Sequence, residues 1–213
     1  MVVQLGENPW ILIGLTLLEI LFIITPALIV SKLEKKSFTM TLKDMGFEKN
    51  EDLFIKIISG LSFGILFFFL SNYIIIFFRD VVINNIFGYE FVEQGQEGVI
   101  NTTPIRPNFI QLITLVILQL IVVGPCEEAF FRGFLIKKIK TKLKIAYSII
   151  ISSILFTLYH VPPFLVPLTT IITFFGYYFV FGLVLSLIFT YFGESLIPCS
   201  IAHSFFNILL LLI

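Results

Sequence analysis

An all-α, polytopic transmembrane helix bundle of about six spanning helices is the fold this chain predicts, on three observations. Of its 213 residues, 58% are hydrophobic and only 13% are charged. Mean hydropathy is +1.03. The apolar residues fall in a few long runs of ~20 residues or more, the length a helix needs to cross ~30 Å of hydrocarbon. Soluble domains carry about a quarter charged residues, and the few polar side chains here could not cover so much apolar surface in water. Strands are excluded because the runs are too long and do not alternate polar with apolar, and an open sheet edge has no hydrogen-bond partner in lipid.

The first apolar segment runs from Pro9 to Val30. It lacks a basic flank before it, exceeds the length of a signal-peptide core and has no small-residue cleavage site after it, so it reads as a retained helix. A Lys-rich loop, Ser31 to Asp52, follows. The second segment covers Phe54 to Phe78, and a polar loop carries the chain from Arg79 to Asn108. The third covers Phe109 to Ile136 and ends in the basic run Lys137 to Lys144. The fourth, Ile145 to His160, is stopped by Pro162 and Pro163, which cannot donate to a helix. The fifth spans Phe164 to Phe192, with Pro167 and Gly176 allowing a bend, and the sixth runs from Leu196 to the end. Residues 1–213 read as one membrane domain.

Lysines orient it. The Ser31–Asp52 loop and the Lys137–Lys144 run hold most of the basic residues and are separated by two segments, so both are expected on the cytoplasmic side. A multi-pass protein of the cell membrane is expected. Zero formal net charge gives no reason to expect nucleic acid. Cys126 and Cys199 lie far apart within apolar runs and read as small buried hydrophobes rather than a disulfide or metal pair.

Ionisable groups at membrane depth cost ~2.5–3.5 kcal/mol each on insertion scales, so they mark function when they face the bundle interior. Three clusters qualify: Glu127-Glu128-x-x-x-Arg132, Phe156-x-x-x-His160 and His203-x-x-x-Asn207. Glu128 and Arg132 stand four apart on one helix face and can pair. Glu127 is rotated by ~100° from Glu128 and has no local cation, which suits a general base. His203 and Asn207, also one turn apart, can aim two donors at one point, as an oxyanion hole requires. His160 can share a water with Glu127, and Phe156 would pack beside its ring. With a rise of ~1.5 Å per residue, Glu127 lies ~15 Å, His203 ~10 Å and His160 ~22 Å from the lysine end, so the three converge near mid-membrane.

These three motifs, in this order on separate apolar helices, resemble the CPBP family of intramembrane proteases, which includes the CAAX prenyl endopeptidases and bacteriocin-processing proteins. The stretch Glu127-Glu128-Ala129-Phe130-Phe131-Arg132-Gly133 is similar to its first motif, trailing glycine included. The resemblance spans about Phe109 to Leu210, a catalytic core within the membrane domain. It implies that Glu127 activates water, that His160 assists, that His203 and Asn207 stabilise the oxyanion, and that Glu128 and Arg132 support them. It implies a peptide or prenylated protein as substrate, besides membrane lipid as partner, and no cofactor. A zinc-dependent version, with Glu127, His160 and His203 as ligands, ranks second because there is no HExxH and no ligand role for Asn207. A non-catalytic immunity or peptide-binding protein is the alternative of another class. A transporter would be expected to show repeats and broken helices that this sequence lacks.

The remaining polar positions read as structure. Glu19 and Gln119 are expected to make interhelical hydrogen bonds, and Gly60 with Gly64 to form a helix contact. Gly60-Leu61-Ser62-Phe63-Gly64 has the spacing of a nucleophile elbow but lies inside a helix, where that motif cannot form. Asp44, Asp52 and Asp80 all read as loop residues, which excludes an aspartyl protease.

Overall fold

The computed structural model describes residues 3–47 and 52–213. Nine helices dominate them: α1 Pro9–Leu18, α2 Leu21–Leu33, α3 Phe38–Asp44, α4 Leu53–Phe87, α5 Tyr89–Glu97, α6 Phe109–Ile139, α7 Ile145–His160, α8 Leu168–Tyr191 and α9 Leu196–Leu212. Four stretches are long and apolar enough to cross a membrane, namely Pro9–Leu33 (α1 with α2), α4, α6 and α8. The helices α7 and α9 are apolar too, but shorter. The chain is an integral, all-α membrane protein. Two short strands, Val3–Gln4 and Ile100–Asn101, pair in parallel and clip the start of the chain to the segment preceding α6.

Helix starts follow their caps. Asn8 accepts from the Trp10 N–H at 3.1 Å with Pro9 in the first turn, and Ser37 accepts from Met40. At α6, Asn108 and Gln111 form a reciprocal capping box, both bonds at 2.9 Å.

Four expectations are corrected. The single helix expected over Pro9–Val30 is broken by a turn at Glu19–Ile20. A two-residue turn leaves hydropathy unchanged, so composition carries no sign of it. The second segment does not end at Phe78 but continues to Phe87, and α5 follows, so most of the expected Arg79–Asn108 loop is helical. Consequently Asp80 sits in a helix. Its carboxylate holds Arg79 through two bonds, at 2.7 and 2.8 Å, and the mutual neutralisation lets the helix run on through both charges. Asp44 likewise ends α3 rather than lying in a loop. Finally, α8 passes through Gly176 without interruption. A Cβ there would run into the Phe78 ring, so this glycine makes room for α4 rather than a bend.

The expected Gly60–Gly64 contact forms, against α9. A Cβ on Gly60 would sit 2.8 Å from the Pro198 carbonyl oxygen, and one on Gly64 2.8 Å from that of Ala202. Because backbone cannot yield, Gly64→Val is expected to lower stability by ~1–3 kcal/mol, the usual cost of overpacking. Thermal unfolding in detergent checks this, with Gly14→Ala, whose added Cβ meets nothing within 4 Å, as the control.

The apolar core lies between α6, α7, α8 and α9. Phe131, Ile136, Phe156, Leu185, Phe189 and Cys199 are buried there, with Met45 closing one end beyond α3. Cys126 and Cys199 are both buried free thiols, as expected.

Candidate active site

The middle of α6 carries Glu127 and Glu128, flanked by π-helical turns at Gln119–Val123 and Ala129–Ile136. Such turns add a residue per turn and re-aim side chains, and they recur at functional sites. Despite them, the expected i,i+4 pair forms: Arg132 Nη1 donates to Glu128 Oε1 at 2.9 Å. Both side chains are fully buried. Arg132 also donates through Nη2 to the Gly182 carbonyl at 2.8 Å, and its Cζ lies 4.6 Å from the centre of the Phe156 ring. A buried guanidinium needs such partners on every side.

Two imidazoles face Glu127 from other helices. His160 Nε2 and His203 Nε2 each lie 3.9 Å from Glu127 Oε2. Their Nδ1 atoms are anchored elsewhere. His160 Nδ1 is 3.0 Å from the Phe156 carbonyl, which can only accept, so this nitrogen carries the proton. His203 Nδ1 stands 2.8 Å from Glu128 Oε1, the oxygen that Arg132 also holds. With Glu128 ionised beside Arg132, His203 donates at Nδ1 as well. In neutral rings both Nε2 lone pairs therefore point toward Glu127. Glu127 Oε2 and His203 Nε2 are buried and have no hydrogen-bond partner among the described residues. Ring packing fixes His160: Phe156 lies 4.2 Å away between centroids, as its one-turn spacing predicts, and Tyr178 of α8 lies 4.9 Å away.

Asn207 lies one turn beyond His203, but its Nδ2 donates across to Gln119 Oε1 at 3.0 Å, leaving one N–H of the amide for another acceptor. Gln119 thus makes the interhelical bond expected of it. Glu19 does not fit its expectation as fully. It sits at the turn between α1 and α2, lines the same cavity as Glu127, and keeps a buried Oε2 without a hydrogen-bond partner among the described residues.

Several of these groups border one cavity of about 730 Å³, large enough for several peptide side chains. Glu127, His160, Asn207, Gln119, Tyr178 and Glu19 line it. His203 is shut off behind it, fully buried. Tyr178, Gln119 and Glu19 were the members that sequence patterns did not single out for the site. Tyr178 has neighbours as aromatic as itself, and Glu19's only signal is its polarity inside an apolar run.

One oxygen or nitrogen from each of Glu127, His160 and His203 lies within 4.8 Å of the others, an N/N/O set that suits Zn²⁺ in type. The same convergence suits a water: the carboxylate oxygen and one Nε2 lone pair can accept its two protons while its own lone pair stays free for attack.

Residues 109–209, which include all three clusters, match the family model described as Rce1-like, Type II CAAX prenyl endopeptidase Rce1-like. No curated protein and no solved structure matches the chain. The ordered motifs and the matched span agree: residues 109–209 of this chain are similar to the Rce1-like family of type II CAAX prenyl endopeptidases.

Proposed function

We propose that the chain is a glutamate-type intramembrane endopeptidase of the cell membrane, in which residues 109–210 form the catalytic core and Glu127 activates the water. The observation that carries this reading is the approach of two imidazole Nε2 atoms to one carboxylate oxygen, each at 3.9 Å, at the wall of a cavity. Glu127 Oε2 takes a proton from water as the oxygen attacks the scissile carbonyl carbon. His160, fixed through Nδ1, accepts a hydrogen bond at Nε2 and holds the water or the protonated carboxyl in line. His203, held at Nδ1 by Glu128, faces the oxyanion through Nε2 and donates to it when that nitrogen carries a proton. Arg132 keeps Glu128 aimed at the ring. The free N–H of Asn207 is the second oxyanion donor, with Gln119 setting the amide plane. Glu127 then returns its proton to the leaving amine as the C–N bond breaks. No cofactor takes part in this scheme.

The test is reconstitution in detergent with prenylated and unmodified peptides, read as new amino termini. Cleavage of a prenylated peptide ending in a CAAX sequence supports a CAAX substrate, and cleavage confined to unmodified peptides rejects it. Absence of cleavage throughout the panel, with prenylated peptide still bound, points instead to a binding or immunity protein.

A second reading is carried by the Glu127, His160 and His203 donor set: the same reaction with Zn²⁺ polarising the water. The carboxylate scheme expects full activity after exhaustive chelation and no stoichiometric zinc by elemental analysis. Loss of activity on chelation, restored by Zn²⁺, would favour the metal.

A further inference from the structure

We propose that the cavity opens on the lysine-free face of the membrane, so that its substrate is a peptide segment exported to, or anchored at, the extracytoplasmic side rather than a cytosolic tail. This rests on the endopeptidase reading for what happens to the segment, and on geometry alone for the side from which it comes.

The ten lysines among the described residues lie at one end of the bundle: from Lys32 to Lys56 and from Lys137 to Lys144. They flank the C-terminal end of α2, the start of α4 and the junction of α6 with α7, and ion pairs knit this end together. Lys138 pairs with Glu34, Lys140 with Glu194 at the α8–α9 turn, and Lys36 with Asp44 at 2.8 Å. Among the described residues the other end has no lysine. Its cations are Arg79, spent on Asp80, and Arg106, and it carries Glu7, Glu90, Glu93 and Glu97. Such a bias puts the lysine end in the cytoplasm.

The cavity lies wholly on the other side of Glu127. From α6 it takes Leu115, Gln119 and Val123, all before Glu127 and farther from the lysines, and from α9 Asn207 and Leu210, toward that helix's far end. Its rim includes Thr102 and Thr103, exposed residues just past the strand pair at the lysine-free end. Toward the lysines the path is closed. One turn below Glu127 come Phe131 and Arg132, then Ile136, packed among Leu185, Phe189 and Cys199, all at most 2% exposed. Water reaching Glu127 from the lysine end would have to cross ~15 Å of that packing, counted along α6.

Variants of the full chain that each add one cysteine test this without needing catalysis: Thr103→Cys at the rim, Glu127→Cys at the site and Lys142→Cys at the lysine end. Each is expressed in intact cells and treated with a membrane-impermeant cationic methanethiosulfonate. The wild type, whose two cysteines are buried, gives the background. Modification of the Thr103 and Glu127 variants in intact cells, at least ten times background, with the Lys142 variant reacting only after permeabilisation, is the expected result. The proposal is overturned if the Lys142 variant reacts in intact cells and the Thr103 variant does not. It is equally overturned if the Glu127 variant reacts only after permeabilisation, or in neither condition. Because labelling requires no turnover, failure here is separate from failure of the endopeptidase reading, which the peptide panel decides.

Discussion

Glu127→Gln is expected to lower peptide cleavage by at least ~10²–10⁴-fold, the contribution of a positioned general base. The substitution is nearly isosteric, so the helix, the cavity and both histidines keep their places. What changes is one atom: an oxygen that can accept a proton becomes an amide that cannot hold it. Substrate affinity should change little, so kcat falls while KM stays within a few-fold. Single-turnover cleavage with purified protein measures this, beside a thermal unfolding curve that shows the variant is folded. Wild-type turnover by a folded Glu127→Gln protein would remove Glu127 from the chemistry and with it the proposed mechanism. Asn207→Ala is expected to act more mildly, since one oxyanion donor is worth ~10²–10³-fold in kcat.

Arg132→Met is expected to produce the largest loss of stability of any single change, ~3–5 kcal/mol, the cost of stranding one partner of a buried ion pair. For a chain of this length that corresponds to a fall in Tm on the order of 10 °C. Arg132 is fully buried and its partners come from three helices: Glu128 on its own, and the Gly182 carbonyl and Phe156 ring on two others. Removing the guanidinium leaves Glu128 charged in a dry interior with only His203 to answer it. Glu128→Gln introduced together with Arg132→Met removes that stranded charge and should recover part of the loss. Thermal unfolding of the wild type, both single variants and the double variant closes the cycle. Equal destabilisation by the double variant and by Arg132→Met alone would show that packing of the guanidinium, not the ion pair, holds α6 in place. Activity should fall in both cases, because His203 loses the aim that Glu128 and Arg132 give it.

Much of this molecule is legible without coordinates because hydrocarbon is an undemanding reader. It asks for length and apolarity, so α7 begins and ends where the sequence says it does, and α9 begins at Leu196 as expected. It is indifferent to a two-residue turn, which is why the break at Glu19–Ile20 escaped notice. It penalises charge, which is why the second segment was ended nine residues early, at Phe78 rather than Phe87. The Arg79–Asp80 pair cancels the penalty locally, and hydropathy counts charges without pairing them. Within the site, relations along one helix were accessible from the ~100° rotation per residue. The Glu128–Arg132 pair and the Phe156–His160 stack are both of that kind.

Periodicity and composition alone thus set the solvent, the passes through it and the residues rare enough there to do chemistry. Contacts between helices obey no such local rule. The His203–Glu128 bond joins positions 75 apart and the Asn207–Gln119 bond positions 88 apart. Each depends on how two helices rotate and slide against one another. That choice belongs to packing: to Gly60 and Gly64 admitting α9 against α4, and to the dry core that blocks one end of the cavity and leaves the other open.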